Sequence, residues 1–543
     1  MNSKYIDNKK INGSLFGIIL LKNKQNFNTL ISLFMINYKN NKIIYKENLN
    51  DKNEDLKHIL SNKNNVFLFN DAKQSIRILL NKQLNVRRVI CLKTLNQLNI
   101  ANNKNNQIIY IKNLKDAEKK TKQNLEIFAN ILINIEKHGL IKIAQIECYL
   151  TTVFANMEYN GFPILVDKWK KIIDNKKKEL YKYEIESKKY LSKVLQKNLF
   201  GEVQINLKND LEVKNALEKI IGKKLINFNK TTLKLINLKE AKSILHYRNI
   251  AEIINKYGCK FLIFCNKSKN RVFGKFKSLG TSTGRVSSYN PNLQNLPLLT
   301  SFHKCICVPL NKILICADYS ACELRILAGL SGDPVLIKAF FENKDIHSEI
   351  ANELFNNKVS KNKNNKLRKI AKIISFSIIY GISAKGLAYN LKISTKNAQI
   401  FLNNYFKSFP KIKNYLENNV KQAKINGFAK TVLGRKLIFN NQKHLTNMNI
   451  QKNSRIAKNM PIQGTAADII KLAILHIHDS LIENFKNAYI VNMIHDELLI
   501  ECLKEDTQSI SLLLKTKMEK AQQIIIPNVK PYVDIKIGRT WEI

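Results

Sequence analysis

The stretch Ile313-Leu-Ile-Cys-Ala-Asp-Tyr-Ser-Ala-Cys-Glu-Leu-Arg325 decides how the rest of the chain is read. Five small or apolar residues run up to an aspartate, and a helical pattern holding Glu323 and Arg325 follows, so the spacing predicts a strand over 312–317 and a helix over 322–330. A carboxylate at a strand end beside a loop is well placed to bind a metal, although Asp318 could equally cap the helix. A second such place is Ala488-Tyr-Ile-Val-Asn-Met-Ile-His-Asp-Glu-Leu-Leu-Ile-Glu501. Two apolar runs flank His495-Asp496-Glu497, which predicts a hairpin presenting adjacent acids at its turn; the alternative is an ordinary polar turn. Hard divalent cations take one or two carboxylates plus phosphate oxygens, and a pair of them can activate a hydroxyl and stabilise a departing phosphate.

Between these acids lies Leu367-Arg-Lys-Ile-Ala-Lys-Ile-Ile-Ser-Phe-Ser-Ile-Ile-Tyr-Gly381. Arg368, Lys372, Phe376 and Tyr380 recur every fourth residue, and a drift of about 40° per step keeps them in a stripe about 120° wide. Two cations followed by two rings suit a nucleoside triphosphate, with phosphates at the cations and base or sugar at the rings. An amphipathic helix with snorkelling cations would give the same spacing.

Composition narrows the partner. The 543 residues hold 90 Lys+Arg against 42 Asp+Glu, a formal charge of +48, with 45% hydrophobic residues. So large a hydrophobic share excludes wholesale disorder, and the length suggests roughly three to five structural units. The charge favours a polyanionic partner, nucleic acid first and an anionic membrane second, against the alternative of Lys-, Asn- and Ile-rich usage from AT-rich coding. Nine cysteines include no CxxC pair, which suggests free thiols in a reducing compartment and no structural metal. The first residues, MNSKYIDNKKINGS, match neither a secretory signal nor a transit peptide, and no run approaches the about 18 apolar residues of a membrane span. A cytoplasmic protein is expected.

Along the chain, 14–140 reads as a small α/β unit, with strand-like runs at Leu15–Leu21, Ile43–Tyr45, Val66–Phe69 and Val89–Leu92 and a helix at Ala72–Leu80. From 141 to 275 helical patterns dominate, including 143–160 and a lysine-rich stretch at 167–196 expected to face solvent or DNA rather than core. Residues 276–300 read as an irregular loop. A helix-rich insert follows at about 345–430, then a helix over 466–484, the hairpin at 488–502, a helix over 506–521 and a strand over 532–537.

The segments DYSACELRILAGLSGD, RKIAKIISFSIIYG and MIHDE resemble motifs A, B and C of the family A DNA polymerases, those similar to bacterial DNA polymerase I. TGRVSSYNPNLQNLP (283–297), KDIH (344–347), LGRKL (433–437) and NMPIQGTAADIIK (459–471) fall in the matching order. The resemblance implies an α/β multidomain chain: an RNase H-like exonuclease-type domain over 1–140, then a right-hand polymerase domain over 141–543. Its helical thumb would lie at about 167–255, its palm at about 276–340 and 460–543, and its fingers at about 341–459. Implied roles are metal binding by Asp318, Asp496 and the Tyr319 carbonyl, with Glu497 as supporting acid. Glu323 would be the gate against ribonucleotides. Arg368 and Lys372 would contact the triphosphate, with Lys372 a proton donor to pyrophosphate; His347 would contact the β-phosphate. Phe376 would pack on the incoming sugar and Tyr380 stack at the template position. Arg285, Asn292, Gln294, Asn295, Arg455, Asn459, Gln463 and His495 would hold primer and template. The implied cofactor is Mg²⁺, two ions, and the implied partners are primer-template DNA and dNTPs, with no membrane and a monomeric chain. Replication or repair in the cytoplasm of a bacterium with a reduced, AT-rich genome is expected, with an organelle as the alternative. A single-subunit RNA polymerase is disfavoured by HDE at 495–497 and by Glu323, and a decayed DNA-binding scaffold by the intact acids and cations.

Departures from the pattern are informative. Ala321 replaces Gln, Ser375 and Ser377 replace Asn and Gly, and Met493 replaces the Gln that precedes the motif C histidine by two. In the amino-terminal region the proofreading pattern of Asp-x-Glu, a second Asp and a late Tyr-x-x-x-Asp is missing: Phe16–Leu21 has no acid, and 65–73 offers Asp71 alone. No proofreading is expected, and no upstream 5′ nuclease. Because a thioether is a weak acceptor where the family uses an amide near the primer end, Met493→Gln should lower the rate of extending mismatched 3′ ends relative to matched ones. Unchanged mismatch extension would contradict that role.

Overall fold

The run leading to Asp318 forms the strand Lys312–Tyr319, two residues longer than expected, inside a four-stranded sheet. The order across it is 489–494, 497–503, 312–319, 533–538. Leu314 to Ala317 and Leu498 to Ile500 are buried, and near-continuous apolar runs are what a strand covered on both faces requires. The register pairs Ile315 with Ile500 and Asp318 with Glu497. The hairpin forms as expected, Ile494 opposite Glu497, with His495 and Asp496 as its two-residue turn. His495 takes a positive φ of 57° there.

The computed structural model describes residues 14–25, 28–47, 49, 53–98, 114–196, 198–201, 203–225, 228–297, 299–439 and 447–541. They fall into two units. One comprises residues up to Asn160, Lys275–Tyr289 and Asn311–Ile537; the other comprises Gly161–Gly274, Asn290–Leu310 and the end of the chain from Gly538.

In the first unit the amino-terminal residues form a five-stranded sheet, in the order 43–46, 28–37, 15–25, 66–69, 89–91. The first three strands are antiparallel, and 66–69 runs parallel to its two neighbours. Strand 28–37 carries alternation on both faces: Leu33 and Met35 join one core with Phe16 and Phe67, while Phe34 and Ile36 join another with Leu21 and Ala117. The helix Leu114–Lys137 lies beyond the elements read from sequence.

The helix expected over 466–484 runs instead from Asn447 to Asn484, through Pro461. Pro461 and Gly464 read locally as breakers, yet residues 460–471 are buried on every side, and that packing outweighs the loss of one helical hydrogen bond at proline. This helix, the helix Ile141–Asn160 and the short hairpin 428–438 meet at buried charges. Glu147 accepts from Lys471 and from Arg435, both at 2.5 Å; Arg435 Nε donates to Asp468 at 2.8 Å, and Thr431 donates to the other Asp468 oxygen. Residues 276–300, expected to be irregular, include the paired strands 275–277 and 287–289. Four helices, 346–355, 365–379, 384–391 and 395–408, and a fifth at 410–426 make up the expected helix-rich insert.

The second unit is built on helices 166–191, 210–221 and 239–257. Helix 166–191 is not the uniformly outward element expected: Trp169, Ile173, Ser187 and Leu191 are buried, while Lys171, Lys177, Lys178 and Lys182 face out. Trp169 stacks on Phe261 and meets Phe302 edge-on, and Ser187 pairs with Ser243 across to helix 239–257. Removing one partner of a buried ionic cluster leaves its neighbour's charge uncompensated, a cost of about 3 kcal/mol or more. Lys471→Met should therefore lower unfolding stability by about that amount in a urea titration; a loss under about 1 kcal/mol would contradict it.

Candidate active site

Two strand ends and one helix start converge at the acids. Asp318 sits on the strand itself, and the N-cap of helix Cys322–Ser331 is Ala321, at φ 51° with no side-chain cap, so Asp318 is not the helix cap. The backbone N–H of Tyr319 donates to the carbonyl of Asp496, 3.4 Å away, which ties the two aspartates' chain segments together. Burial, then Asp496, Glu497 and Asp534, push the Asp318 carboxyl up to about 7 against a weaker pull from Lys536. Burial likewise raises Asp496, relieved partly by Arg285 and His495. The Cys316 thiol donates to Glu497 at 2.7 Å.

Glu323, 8% exposed, accepts a 2.5 Å bond from Arg285. Burial lifts its carboxyl above the ordinary range and Arg285 opposes the lift. The gate candidate and one of the predicted DNA-binding cations therefore hold each other.

On helix 365–379 the predicted stripe forms. Arg368 and Phe376 are half-buried and Lys372 exposed, while Ala371, Ile374, Ser375 and Ile378 on the other side are buried. Tyr380 is the C-cap residue rather than part of the helix. Arg368 makes a bidentate pair with Asp345 through Nε and Nη2, both at 2.7 Å. Burial opposes ionisation of Asp345, but its bonds to Arg368 and Ser348 win and hold the carboxyl well below the usual range. His347 lies 6.0 Å from the Phe376 ring, centroid to centroid. Burial, then Lys372 and Arg368, lower it to about 4, so it is neutral at pH 7, and its buried Nδ1 has no hydrogen-bond partner among the described residues.

Arg455, Asn459 and Gln463 share one face of helix 447–484 at four-residue spacing. Gly381, just past Tyr380, closes against Arg455. Asn459 Oδ1 and Gln463 Nε2 are buried without partners among the described residues. Buried polar atoms are almost always paired, and these three stand at residues with an expected binding role. Asn292, Gln294 and Asn295 belong to the second unit, after the cis Asn290–Pro291 bond; Asn292 accepts from the Gln294 backbone and the Asn295 carbonyl from Tyr257.

Sequence reasoning passed over Asp345 as the clasp of Arg368, although it stands inside the quoted KDIH. It also passed over Asp534 and Lys536, whose two-residue spacing on the last strand aims both at one face. Among the described residues no three His, Cys, Asp or Glu side chains form a closed metal cage. The donor set suits a different kind of site: two partly buried carboxylates of raised proton affinity, oxygen donors of the sort a hard divalent cation takes while leaving most of its positions to other oxygen ligands.

The α/β scaffold carries both features, the paired strand-end carboxylates and the cationic, aromatic helix face. A family model described as DNA polymerase family A matches residues 162–543. The DNA polymerase I of Caldicellulosiruptor bescii is 43% identical over 303 residues, 55% of this chain and 35% of that protein. That of Lactococcus lactis is 31% identical over 438 residues, 77% of this chain and 47% of that protein. The chain thus spans about a third to a half of these relatives. A solved structure, the POL domain of Pol1 from M. smegmatis in complex with DNA primer-template and dNTP, superposes with a TM-score of 0.81 at 23% identity, covering 98% of this chain and 97% of that one. This chain belongs to DNA polymerase family A.

An acid whose folded value is raised holds a proton that the unfolded chain releases, so stability grows as pH falls through about 7 towards the ordinary value of 3.8. Asp318→Asn should raise the melting temperature of the metal-free protein at pH 8, and the gain should shrink as the pH is lowered towards 4. An equal gain at every pH would contradict the raised carboxyl.

Proposed function

We propose that this chain synthesises DNA on a template, adding dNMP from a dNTP to a primer 3′-OH by two-metal-ion nucleotidyl transfer, in replication or repair. The observation that carries the proposal is the meeting of Asp318 and Asp496 at adjoining strand ends, where burial and mutual repulsion call for cations. Asp318, Asp496 and the Tyr319 carbonyl would hold Mg²⁺, which when bound lowers the proton affinity of the 3′-OH and neutralises charge on the departing pyrophosphate.

The chain's own groups supply the rest. Asp345 holds Arg368 by its Nε–Nη2 edge, leaving Nη1 to donate to phosphate oxygens with its plane already set. Lys372, one turn on, faces the same side and is placed to give its proton to the leaving pyrophosphate. Neutral His347 offers Nδ1 to the β-phosphate without adding charge. Phe376 provides a sugar-packing ring and Tyr380 a stacking ring at the template position. Glu323, held by Arg285, crowds a ribose 2′-OH. Arg455, Asn459, Gln463 and His495, with Asn292, Gln294 and Asn295, hold primer and template, and Glu497 supports the metal pair.

In this reading 141–543 is a right-hand polymerase domain, with thumb at about 167–255, palm at about 276–340 and 460–543, and fingers at about 341–459. Residues 1–140 form an RNase H-like exonuclease-type domain without proofreading. Two facts support that loss. Asp71, its one candidate acid on 65–73, caps helix 72–80 and is paired with Lys93 at 2.6 Å. At Gly17, on the strand where the acids would stand, a Cβ would meet the Tyr38 hydroxyl at 2.1 Å and Thr121 at 2.3 Å. A monomer in the cytoplasm, or in an organelle, fits an α/β chain in which no helix of the described residues is long and apolar enough to cross a membrane.

Primer extension with Mg²⁺ tests the proposal. Wild type should extend with dNTPs and scarcely with rNTPs, and Asp318→Ala should lose at least about a thousandfold in rate while retaining primer-template binding. Equal extension by the variant would sink the assignment.

A further inference from the structure

Arg285 reaches Glu323 from a loop whose first arm is the strand Lys275–Lys277. Among the described residues that strand pairs on one edge only, with 287–289, Phe276 standing opposite Ser288. Its other edge is finished by side chains. Lys73 donates to the Phe276 carbonyl at 2.6 Å and to Glu158 at 2.7 Å, and the same Glu158 oxygen accepts from the Phe276 N–H at 2.8 Å. Arg77 adds a longer bond to the other Glu158 oxygen, at 3.3 Å. Two residues on, Lys471 donates to the Ser278 carbonyl at 2.8 Å and to Glu147.

The same unit therefore occurs twice: a backbone carbonyl, an ammonium and a buried glutamate. Phe276 lies in the strand and Ser278 in the turn directly after it, and Glu147 and Glu158, eleven residues and about three turns apart, share one face of helix 141–160. An unpaired strand edge buried without such partners would cost free energy at each group. Past Ser278 the loop is further confined: Thr281 bonds the Arg285 carbonyl, and Gly284, at φ 83°, lies where a Cβ would strike the Arg435 side chain. Arg285 thus inherits its position from the strand, and the strand's outer edge from Lys73 and Lys471.

Lys471 belongs to the buried ionic cluster. Lys73 does not. It comes from helix 72–80 of the amino-terminal sheet region, where the proofreading acids are missing, and its side chain is 24% exposed. We propose that Lys73 is a positioning residue for the nucleotide site: through Glu158 and the Phe276 backbone it sets the 275–289 loop so that Arg285 holds Glu323 in place. The amino-terminal region then keeps a part in substrate selection without any nuclease chemistry. This rests on the polymerase reading given above.

The test is single-nucleotide incorporation by the full chain, scored as the ratio of kcat/KM for a dNTP to that for the matching rNTP. Lys73→Met should lower the ratio about five- to tenfold, about the net scale of one ordinary hydrogen bond. Lys73→Arg, which can still donate to both partners, should restore it to within about twofold. In an Arg285→Ala background Lys73→Met should have no further effect on the ratio, because both changes act on one contact. Where Lys73→Met folds poorly, Lys73→Gln, which keeps an uncharged amide N–H donor on a shorter side chain, is read in the same assay and should give an intermediate ratio. A ratio unchanged in Lys73→Met or Lys73→Gln, with only melting temperature and total rate reduced, would overturn the proposal, as would an undiminished effect in the Arg285→Ala background. Failure of the wild type to incorporate either nucleotide would instead defeat the polymerase reading.

Discussion

Everything at the site depends on the register between strands 312–319 and 497–503. Because side chains alternate along a strand, a slip of one residue would turn Asp318 to the other face and bury it against the core. The register is fixed by the apolar pairs behind it, among them Ile315 opposite Ile500, and by Lys312, whose ammonium reaches the buried Glu501 at 2.7 Å. Packing thus brings Asp318, Asp496 and Glu497 into one partly buried corner. The raised Asp318 carboxyl is the cost of that arrangement.

Around this corner the charged groups are paired so as to fix direction rather than to add stability. Asp345 takes one edge of Arg368 and leaves the other open; Arg285 takes Glu323. These pairs are partly buried, so the cost of desolvating their charges offsets much of their mutual attraction. Their geometric value is larger, since an arginine clasped along one edge cannot rotate away from its partner on the other. The same logic extends outward to the strand 275–277 and the turn after it, where ammonium groups take backbone carbonyls that no neighbouring strand pairs among the described residues.

Much of this was legible in sequence, for identifiable reasons. The strand to Asp318, the hairpin at 495–497 and the Arg368–Lys372–Phe376 stripe rest on strict local periodicity, and all three form. The alternative of a helix cap at Asp318 could be removed only by seeing Ala321 in the cap position. The long helix starts at Asn447 rather than at 466 and runs through Pro461, because burial on all sides outweighs local propensity there. The pairings Asp345–Arg368, Arg285–Glu323 and Lys73–Glu158 join residues 23, 38 and 85 positions apart; no period in the sequence carries such distances. Nor did the surplus of +48 locate the site. The few acids did, because in so basic a chain each buried carboxylate must be accounted for by a partner or a ligand.

The central claim is that the paired aspartates serve chemistry dictated by a template. The most direct measurement is single-turnover incorporation with Mg²⁺ on four primer-templates identical except at the templating base, each offered all four dNTPs separately. The account predicts that the favoured nucleotide changes with each template to its complement. The same nucleotide favoured on every template, or none incorporated on any, would contradict it.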